Sequence, residues 1–331
     1  MDRARVWITQ PALAEVVARL AEYFDVVETG AVMQYDSAQF AAGLRDVDGV
    51  LASVIDRIDA TAIADAKRLK AIANTGVGYN NLDVAALSAA GVIVTNTPDV
   101  LTETTADMAW ALLLAAARRV SEGERWLRDG RWQAWSFDLL LGQDIHGSTL
   151  GILGMGRIGQ AVARRARGFD MRVLYHNRSR LPESVEQDLG ATYVDKDALL
   201  RASDHLVLVL PYSAATHHAI GASELALMKP GAILVNIARG GIVDDAALAD
   251  ALQQRQIAAA GLDVFENEPA LNPRLLECRN IVLTPHIGSA TAATRRAMAM
   301  LAADNLTAAL GAGPHAGSPP NIVNAQLLRK A

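Results

Sequence analysis

The stretch TLGILGMGRIGQAVARRARGF, residues 149–169, is the part of this chain that most clearly indicates its fold. An apolar run leads into Gly154, Gly156 and Gly159, which follow the order GxGxxG, and an amphipathic helical pattern begins at this turn. In this context the first glycine permits a tight turn, the second lets the backbone approach a pyrophosphate, and the third allows close packing of helix on strand. The stretch therefore predicts a strand, turn and helix that bind a dinucleotide.

The start of the predicted helix supplies the phosphate contacts. The backbone amides of Arg157 and Ile158 are expected to face the phosphates at the positive end of the helix dipole. The alternative interpretation is a glycine-rich turn that binds no ligand.

The residues about 20 positions further on bear on the choice of dinucleotide. NAD-preferring proteins carry Asp or Glu at this place for the ribose 2′-hydroxyl, whereas this chain has Asn177 followed by Arg178, Ser179 and Arg180. A neutral amide beside two arginines favours a 2′-phosphate, which a carboxylate would repel. This segment predicts NADP(H), with weaker use of NAD(H). The alternative is a solvated loop with relaxed cofactor choice.

Strand-like and helix-like patterns alternate along the whole chain, in two series. Helix-like runs in the first half lie at residues 11–23, 37–44, 60–66, 82–89 and 103–120. The second series has six strand-like runs, and a helix-like run follows at 291–310 with no strand after it. The pattern predicts an α/β protein with two Rossmann-like, doubly wound parallel-sheet domains and an interdomain cleft.

The final helix has no place in the second sheet and is expected to return to the first domain. This predicts a flavodoxin-like substrate domain built from residues 1–99 and 288–331, with the dinucleotide-binding domain inserted at 100–287.

Composition and charge exclude several classes of partner. The formal net charge is −5, which provides no broad attraction for nucleic acid or anionic lipid. No apolar run approaches the roughly 20 residues that a membrane span requires, and the N-terminus lacks the pattern of a secretory signal. The expected location is the cytoplasm, with no nucleic-acid or membrane partner.

Polar residues follow three of the later strand-like runs, at the sheet edge where open α/β sheets bind ligands. Arg239 follows one run, Asp263, Glu266 and Glu268 follow another, and His286 follows a third. An arginine, a carboxylate and a histidine brought together there are suited to binding an anionic substrate and transferring a proton. Taken singly, these residues also fit a surface ion pair, a loop carboxylate and a turn histidine.

These blocks resemble a known family. GILGMGRIGQAVARRARGF, VNIARGGIVDDAALADAL, GLDVFENEP and LTPHIGSAT are similar to the D-isomer-specific 2-hydroxyacid dehydrogenases. NTGVGYNNLDVAAL and VLTETTADMAWALLLAAARRV resemble the branch that contains glyoxylate/hydroxypyruvate reductase and 2-ketogluconate reductase. The resemblance covers nearly the whole chain.

The resemblance implies roles for the polar residues. Arg239 would bind the carboxylate and carbonyl of a small 2-keto acid, and Glu268, directly before Pro269, would pair with the acid/base His286. The substrate-binding set would be His286, Arg239 and, through their main-chain amides, Val77 and Gly78. The implied reaction is NADPH-dependent reduction of glyoxylate, hydroxypyruvate or 2-ketogluconate to a D-2-hydroxy acid.

Three further residues are predicted to bind the cofactor. Asp263 would hold the nicotinamide carboxamide by resemblance, Thr105 is placed on the nicotinamide side, and Pro211 completes the set. The adjacent His217 and His218 have no other metal-ligand pattern near them in sequence, so no metal site is predicted.

A tryptophan-rich stretch includes Trp126, Trp132 and Trp135. In the resembled family this region crosses a dimer interface, which implies a homodimer; core packing is the alternative for each tryptophan. Two alternatives to the keto-acid reductase remain open: a corepressor-like protein that senses NAD(P), and a phosphite-type dehydrogenase.

Overall fold

The structure, a computed structural model, describes residues 3–31 and 35–327, and these form two units. One unit comprises the residues up to Leu101 together with those from Ala290 onward, and the other comprises Thr102–Ser289. These limits lie within two residues of the domain boundaries predicted from the sequence.

All strands within the described residues belong to two parallel sheets, one in each unit. In chain order the described strands are β1 (Arg5–Ile8), β2 (Asp25–Glu28), β3 (Gly49–Ala52), β4 (Ala71–Asn74), β5 (Ile93–Thr95), β6 (Thr149–Leu153), β7 (Arg172–His176), β8 (Ala191–Tyr193), β9 (His205–Leu208), β10 (Ile233–Asn236), β11 (Ala259–Leu262) and β12 (Ile281–Leu283). The first sheet has the order β2-β1-β3-β4-β5, and the second has the order β12-β11-β10-β9-β6-β7-β8.

The connecting segments are mostly helical. In chain order the described helices are α1 (Ala14–Ala21), α2 (Ser37–Leu44), α3 (Val84–Ala89), α4 (Thr102–Ala117), α5 (Val120–Arg128), α6 (Arg157–Ala166), α7 (Glu183–Leu189), α8 (Lys196–Ala202), α9 (Ala222–Leu227), α10 (Asp245–Gln253), α11 (Pro273–Glu277) and α12 (Ala292–Ala309). Each sheet carries two separate clusters of buried apolar side chains, as expected for helices packed on both faces of a parallel sheet. The prediction of two Rossmann-type, parallel α/β domains is confirmed.

The last helix belongs to the first unit. Arg296 of α12 forms a two-point ion pair with Glu15 of α1, at 2.5 and 2.6 Å, and Arg19 reaches Asp304 at 3.0 Å. Leu306 of the same helix is fully buried in this unit's core. The second sheet is therefore completed without α12.

Three details of the sequence prediction are wrong. Residues 60–66 form turns, because the Asp59 carboxylate accepts hydrogen bonds from the amides of Thr61 and Ala62 and competes with a helical ladder. The predicted helix 103–120 ends at Ala117, and Arg119, with φ of +53°, separates it from α5. The second sheet has a seventh strand, β8, whose three residues are too short for a periodic pattern.

The carboxyl ends of the central strands in the second sheet lie along one edge. Gly154 follows β6, Arg239 follows β10, and Asp263 follows β11 directly, so the chain returns to this edge after each crossover. Among the described residues, the helices lack the combination of length and apolar character that crossing a membrane requires.

Candidate active site

The three glycines after β6 have different physical roles. Gly154 has φ of +104°, and a Cβ there would lie 2.8 Å from the backbone of Val209 and Leu210. A Cβ at Gly159 would lie 2.3 Å from the carbonyl oxygen of Gly154, so the absence of a side chain permits α6 to pack on β6. A Cβ at Gly156 would meet no atom within 4 Å. The space above Gly156 therefore fits a ligand that approaches the backbone, as a pyrophosphate does.

The first turn of α6 presents backbone amides towards the same space. Gly156 is the N-cap residue and provides no side-chain cap, and Arg157 and Ile158 are the first two residues of the helix, whose amides point away from the helix body. The positive end of the helix dipole favours an anion at this place. The turn and the helix start together fit the diphosphate of a dinucleotide.

Asn177 closes the turn from the end of β7. Its Oδ1 accepts a hydrogen bond from the amide of Met155 at 2.6 Å, and its carbonyl oxygen accepts from the hydroxyl of Tyr193 at 3.3 Å. The Asn177 side chain thus has two roles. It holds the glycine turn, and it places a neutral group where NAD-preferring proteins carry a carboxylate. The sequence indicated only the second of these roles.

Arg180 is engaged by a buried glutamate. Its Nε and Nη2 donate to the two carboxylate oxygens of Glu186 at 2.9 and 2.6 Å, and the Tyr175 hydroxyl donates to the same group at 2.7 Å. These hydrogen bonds lower the pKa of Glu186 to about 2. Burial, followed by the bond to Glu186, raises the pKa of Tyr175 to about 12. The charge of Arg180 is therefore largely neutralised within the protein.

Arg178 and Ser179 differ from Arg180 in this respect. Both residues are exposed, and neither side chain has an ion pair or hydrogen bond within residues 3–31 and 35–327. The sequence treats the two arginines alike, since nothing in it marks Glu186 as the partner of one of them. Arg178 is the cation that stays available beside Asn177.

His286 and Glu268 form a hydrogen-bonded pair. Nδ1 of His286 lies 2.8 Å from Oε2 of Glu268, and Oε1 of Glu268 accepts from the amide of Phe265 at 2.8 Å. The other ring nitrogen, Nε2, has no partner among the described residues. His286 has φ of +52°, an uncommon conformation for a residue with a side chain, and its amide donates to the carbonyl oxygens of Asp263 and Thr284.

The electrostatics of Glu268 favour its ionised form. Burial raises the pKa of Glu268, but the hydrogen bond and charge of His286, the Phe265 amide and the charge of Arg239 outweigh it. The net effect is a pKa below the usual value. The carboxylate is therefore a stable acceptor for the His286 ring.

Arg239 lies directly after β10, in the same unit as the histidine pair. Nη1 donates to the carbonyl oxygen of Ala238 at 2.8 Å, and Asn236 Nδ2 donates to the Arg239 carbonyl oxygen at 3.2 Å. Burial lowers the pKa of Arg239, whereas the Glu268 carboxylate acts in the opposite direction. The next residue, Gly240, lies so close to Phe265 that a Cβ on it would be 1.7 Å from the Phe265 carbonyl oxygen, so Arg239 lies beside the turn that carries Glu268.

Asp263 is used to build the turn that carries His286. Its carboxylate accepts from the Thr284 hydroxyl at 2.6 Å and from the amides of Ile287 and Gly288 at 2.8 and 2.7 Å. The residue is only 1% exposed. The structure thus gives Asp263 a positioning role that the sequence did not predict; contact with a nicotinamide stays a prediction.

Thr105 and Pro211 also lie in the second unit. Thr105 is buried in α4, and its Cγ2 would lie 3.6 Å from a Cβ built on Gly288. Pro211 is exposed beyond β9, and its carbonyl oxygen accepts from the Thr216 hydroxyl at 2.9 Å. Their cofactor contacts stay predictions.

Val77 and Gly78 lie in the first unit, beyond β4. Their carbonyl oxygens accept from Asn96 Nδ2 at 2.8 Å and from Asn74 Nδ2 at 2.9 Å. Their own amides have no acceptor in the described part of the chain. Two adjacent unpaired amides are suited to an anion, and the loop is held from its carbonyl side.

The side chains of His217, His218 and Glu266 lie close together, with one potential ligand atom of each within 4.8 Å of the others. The two imidazole rings are stacked, with their centroids 3.9 Å apart. Nε2 of His218 lies 2.7 Å from Oε1 of Glu266, and His217 Nδ1 lies 3.2 Å from the Tyr212 hydroxyl. The absence of a metal site stays a prediction.

Comparison with known proteins agrees with the dinucleotide-binding geometry of the second unit. The sequence pattern described as "D-isomer specific 2-hydroxyacid dehydrogenase, NAD binding domain" matches residues 110–288. A glyoxylate reductase of Thermococcus onnurineus is 47% identical over 330 residues, which cover 98% of this chain and 97% of that protein. A glyoxylate reductase of Aeropyrum pernix is 45% identical over 335 residues, with 99% and 98% covered.

Solved structures match both units. An NADPH-dependent glyoxylate/hydroxypyruvate reductase from Sinorhizobium meliloti, in complex with NADP and malonate, is 39% identical with a TM-score of 0.86, and 97% of each chain is covered. A glyoxylate reductase from Paecilomyes thermophila is 36% identical with a TM-score of 0.88, and 98% of this chain and 100% of that chain are covered. This chain has the glycine turn of a nucleotide-binding domain, and it belongs to the D-isomer specific 2-hydroxyacid dehydrogenase family of oxidoreductases.

Proposed function

We propose that this enzyme reduces small 2-keto acids, among them glyoxylate, hydroxypyruvate and 2-ketogluconate, to D-2-hydroxy acids with NADPH. The observation that carries the proposal is the pairing of His286 Nδ1 with Glu268 Oε2 at 2.8 Å, which leaves Nε2 without a described partner. A histidine held in this way is suited to deliver a proton from Nε2. The relatives named glyoxylate reductase support the choice of substrate class.

The chemistry divides between the cofactor and the protein. When bound, the dinucleotide supplies the hydride that reaches the keto carbon. His286, as imidazolium, donates the Nε2 proton to the oxygen that becomes the hydroxyl. Glu268 holds the ring by its Nδ1 proton and stabilises the charged form.

Arg239 binds the negatively charged groups of the substrate in this proposal. Its guanidinium binds the substrate carboxylate and carbonyl and stabilises the negative charge that develops on the carbonyl oxygen. In the proposal the free amides of Val77 and Gly78 donate to the substrate carboxylate. Asp263 holds the His286 turn in place through three hydrogen bonds.

The preference for NADPH rests on the end of β7. Asn177 removes the carboxylate that would repel a 2′-phosphate, and Arg178 has no competing partner among the described residues. The NADP complex of the Sinorhizobium meliloti relative supports the same cofactor. Arg180, which is paired with Glu186, contributes mainly by fixing the loop.

Steady-state kinetics test the proposal directly. The values of kcat/KM are measured for glyoxylate, hydroxypyruvate and 2-ketogluconate, each with NADPH and with NADH, and the configuration of the product is determined. We expect turnover with at least one keto acid, a D-product and a higher kcat/KM with NADPH. Binding of NADPH without turnover of any of the three would contradict the proposal and favour a dinucleotide-sensing protein.

A homodimer and a cytoplasmic location complete the proposal. Trp132, Trp135 and Phe137 are 56%, 76% and 85% exposed in the single chain, and large exposed aromatic side chains are common at interfaces. Light scattering coupled to size exclusion is expected to give twice the chain mass, and the double variant Trp135→Ala, Phe137→Ala is expected to shift it towards that of the monomer.

A further inference from the structure

Glu266 and Asp245 are joined by two reciprocal hydrogen bonds, each from the backbone amide of one residue to the carboxylate of the other. The amide of Glu266 donates to Oδ2 of Asp245 at 3.1 Å, and the amide of Asp245 donates to Oε2 of Glu266 at 3.4 Å. Asp245 is the first residue of α10, whereas Glu266 lies in the turn after β11, two positions before Glu268. The pair therefore ties the turn that carries Glu268 to the start of a different element.

His218 adds a third segment to this pair. Its Nε2 lies 2.7 Å from Oε1 of Glu266, and its own amide donates to the carbonyl oxygen of Gly241 at 2.7 Å. His218 has φ of +50°, so its backbone adopts an uncommon conformation where it makes these contacts. We call His218, Asp245 and Glu266 the support cluster.

Burying the support cluster costs folding stability. Asp245 is 2% exposed, and the Glu266 carboxylate lies against it. Burial raises the pKa of Asp245 to about 6; the charges of Glu266 and Asp244 add to this effect, whereas the Glu266 amide and the charge of His218 oppose it. Such costs are concentrated at functional sites, where geometry matters more than stability.

The turn from Phe265 to Glu268 is the element that the support cluster holds. The Phe265 amide donates to Oε1 of Glu268 at 2.8 Å, which leaves Oε2 for His286. The Phe265 carbonyl group lies so close to Gly240 that a Cβ there would be 1.7 Å from its oxygen. The turn is thus seated directly beside the residue that follows Arg239, and a shift of the turn would move Glu268.

We propose that His218, Asp245 and Glu266 are positioning residues for the reaction, because they hold the Phe265–Glu268 turn so that Oε2 of Glu268 faces Nδ1 of His286. None of the three touches the reacting atoms in this scheme. The inference rests on the proposed function, in which His286 is the proton donor.

The test uses the full-length enzyme with NADPH and the keto acid that it reduces best. We expect Asp245→Ala and Glu266→Ala to lower kcat by about tenfold, since a displaced catalytic group typically costs up to about 10²-fold. The KM for NADPH stays near the parent value, because the glycine turn is untouched. With Glu268 less firmly placed, the basic limb of the pH profile for reduction moves to lower pH.

Conservative variants separate positioning from general stability. Asp245→Asn keeps an oxygen that accepts from the Glu266 amide, so its kcat is expected to stay near that of the parent. Glu266→Gln has the same size, keeps one acceptor oxygen and is expected to fold, with a smaller decrease in kcat and the same direction of the pH shift. The matched control is Asp204→Ala, which removes a carboxylate that accepts from Lys229 and from the Thr149 amide elsewhere in this unit. We expect the control to lower the melting temperature and to leave kcat and the pH profile unchanged.

Two results overturn the inference: unchanged kcat and pH profile in Glu266→Gln and in the alanine variants, or an equal decrease in kcat in the Asp204→Ala control. His286→Ala is measured in the same assay to separate the two proposals. If His286→Ala keeps its turnover, the proposed function fails. If His286→Ala loses turnover while the support-cluster variants behave like the parent, only the positioning inference fails.

Discussion

Nδ1 of His286 lies 2.8 Å from Oε2 of Glu268, and the opposite ring nitrogen has no partner in the described part of the chain. This hydrogen bond to a carboxylate favours a proton on Nδ1, holds the ring and leaves Nε2 without a partner among the described residues. The pair joins residues from the segments after two different strands, since Glu268 follows β11 and His286 follows β12.

Replacing His286 with alanine is expected to lower kcat by about 10²–10⁴-fold, the usual contribution of a general acid. The dissociation constant for NADPH should change little, because the glycine turn and Arg178 are unaltered. His146→Ala, at an exposed histidine of the same unit, serves as the control. Stopped-flow turnover and fluorescence titration with NADPH give the two quantities, and turnover within a few-fold of the parent would refute the role of His286.

The Glu268 carboxylate is expected to control the pH range of reduction. Its pKa is lowered, so the favourable charge pairing is fully present above the usual value of 4.5 and is lost only as the pH falls below that value. Glu268→Gln removes the charge that stabilises imidazolium, and the basic limb of kcat/KM for reduction should therefore move to lower pH. A profile that coincides with that of the parent from pH 5 to 9 would show that the charge of Glu268 has no part in the reaction.

Two alanine substitutions distinguish cofactor binding from folding. Gly156→Ala is expected to leave the melting temperature unchanged, since a Cβ there meets no atom within 4 Å, and to weaken NADPH binding by filling the space of the pyrophosphate. Gly154→Ala should instead destabilise the unit, because φ is +104° and the new Cβ would lie 2.8 Å from backbone atoms. Calorimetry gives both the melting temperatures and the binding constants. Unchanged NADPH affinity in Gly156→Ala would contradict the placement of the diphosphate.

The two arginines after β7 are expected to respond differently. Arg178→Ala should lower kcat/KM for NADPH by roughly 10- to 100-fold, the value of a charge-assisted hydrogen bond, and leave kcat/KM for NADH nearly unchanged. Adding Asn177→Asp, which keeps the oxygen that accepts from Met155, should shift the preference further towards NADH.

Arg180→Ala is the matched control for Arg178→Ala. It leaves the Glu186 carboxylate without two of its donors, so we expect a lower melting temperature and a smaller change in the NADPH/NADH ratio. A larger change in that ratio for Arg180→Ala than for Arg178→Ala would reverse the assignment of the 2′-phosphate contact.

Asp245→Asn is expected to stabilise the protein at neutral pH. The pKa of Asp245 is raised from 3.8 to about 6, so the folded chain retains a proton that the unfolded chain releases between these values. The free energy of unfolding therefore falls as the pH rises through this window, by at most about 3 kcal/mol, and stays low above it. The Asp245→Asn variant does not lose this free energy of unfolding. Its melting temperature should therefore exceed that of the parent at pH 7.5, and the difference should shrink at pH 4. Equal differences at both pH values would exclude the ionisation of Asp245 as the cause.

Much of the site follows from local patterns. The order Gly154, Gly156, Gly159 after an apolar run predicts the turn, because Gly154 and Gly159 avoid steric clashes within the protein and Gly156 leaves open space over its backbone. Parallel strands place their carboxyl ends on one edge, so residues following successive strands, such as Arg239 and His286, are expected on the same side of the sheet.

Short and irregular segments gave weaker patterns. The three residues of β8 carry too little periodicity to be recognised, and the apolar spacing at 60–66 indicates a helix that the Asp59 side chain replaces with turns. The helical pattern of apolar residues continues through Arg119, although this residue has a left-handed backbone conformation. The spacing of the apolar residues therefore does not predict the break before α5.

Periodicity and backbone sterics within short segments are sufficient to predict the two parallel sheets, the glycine turn and the residues at the strand ends. Three contacts become visible only in the folded chain: Arg180 pairs with Glu186, Asp263 accepts hydrogen bonds from the His286 turn, and Asp245 accepts one from the amide of Glu266. The physical reason is that hydrogen bonds and charge pairing act between side chains close in space, and chain folding sets those distances independently of any sequence period.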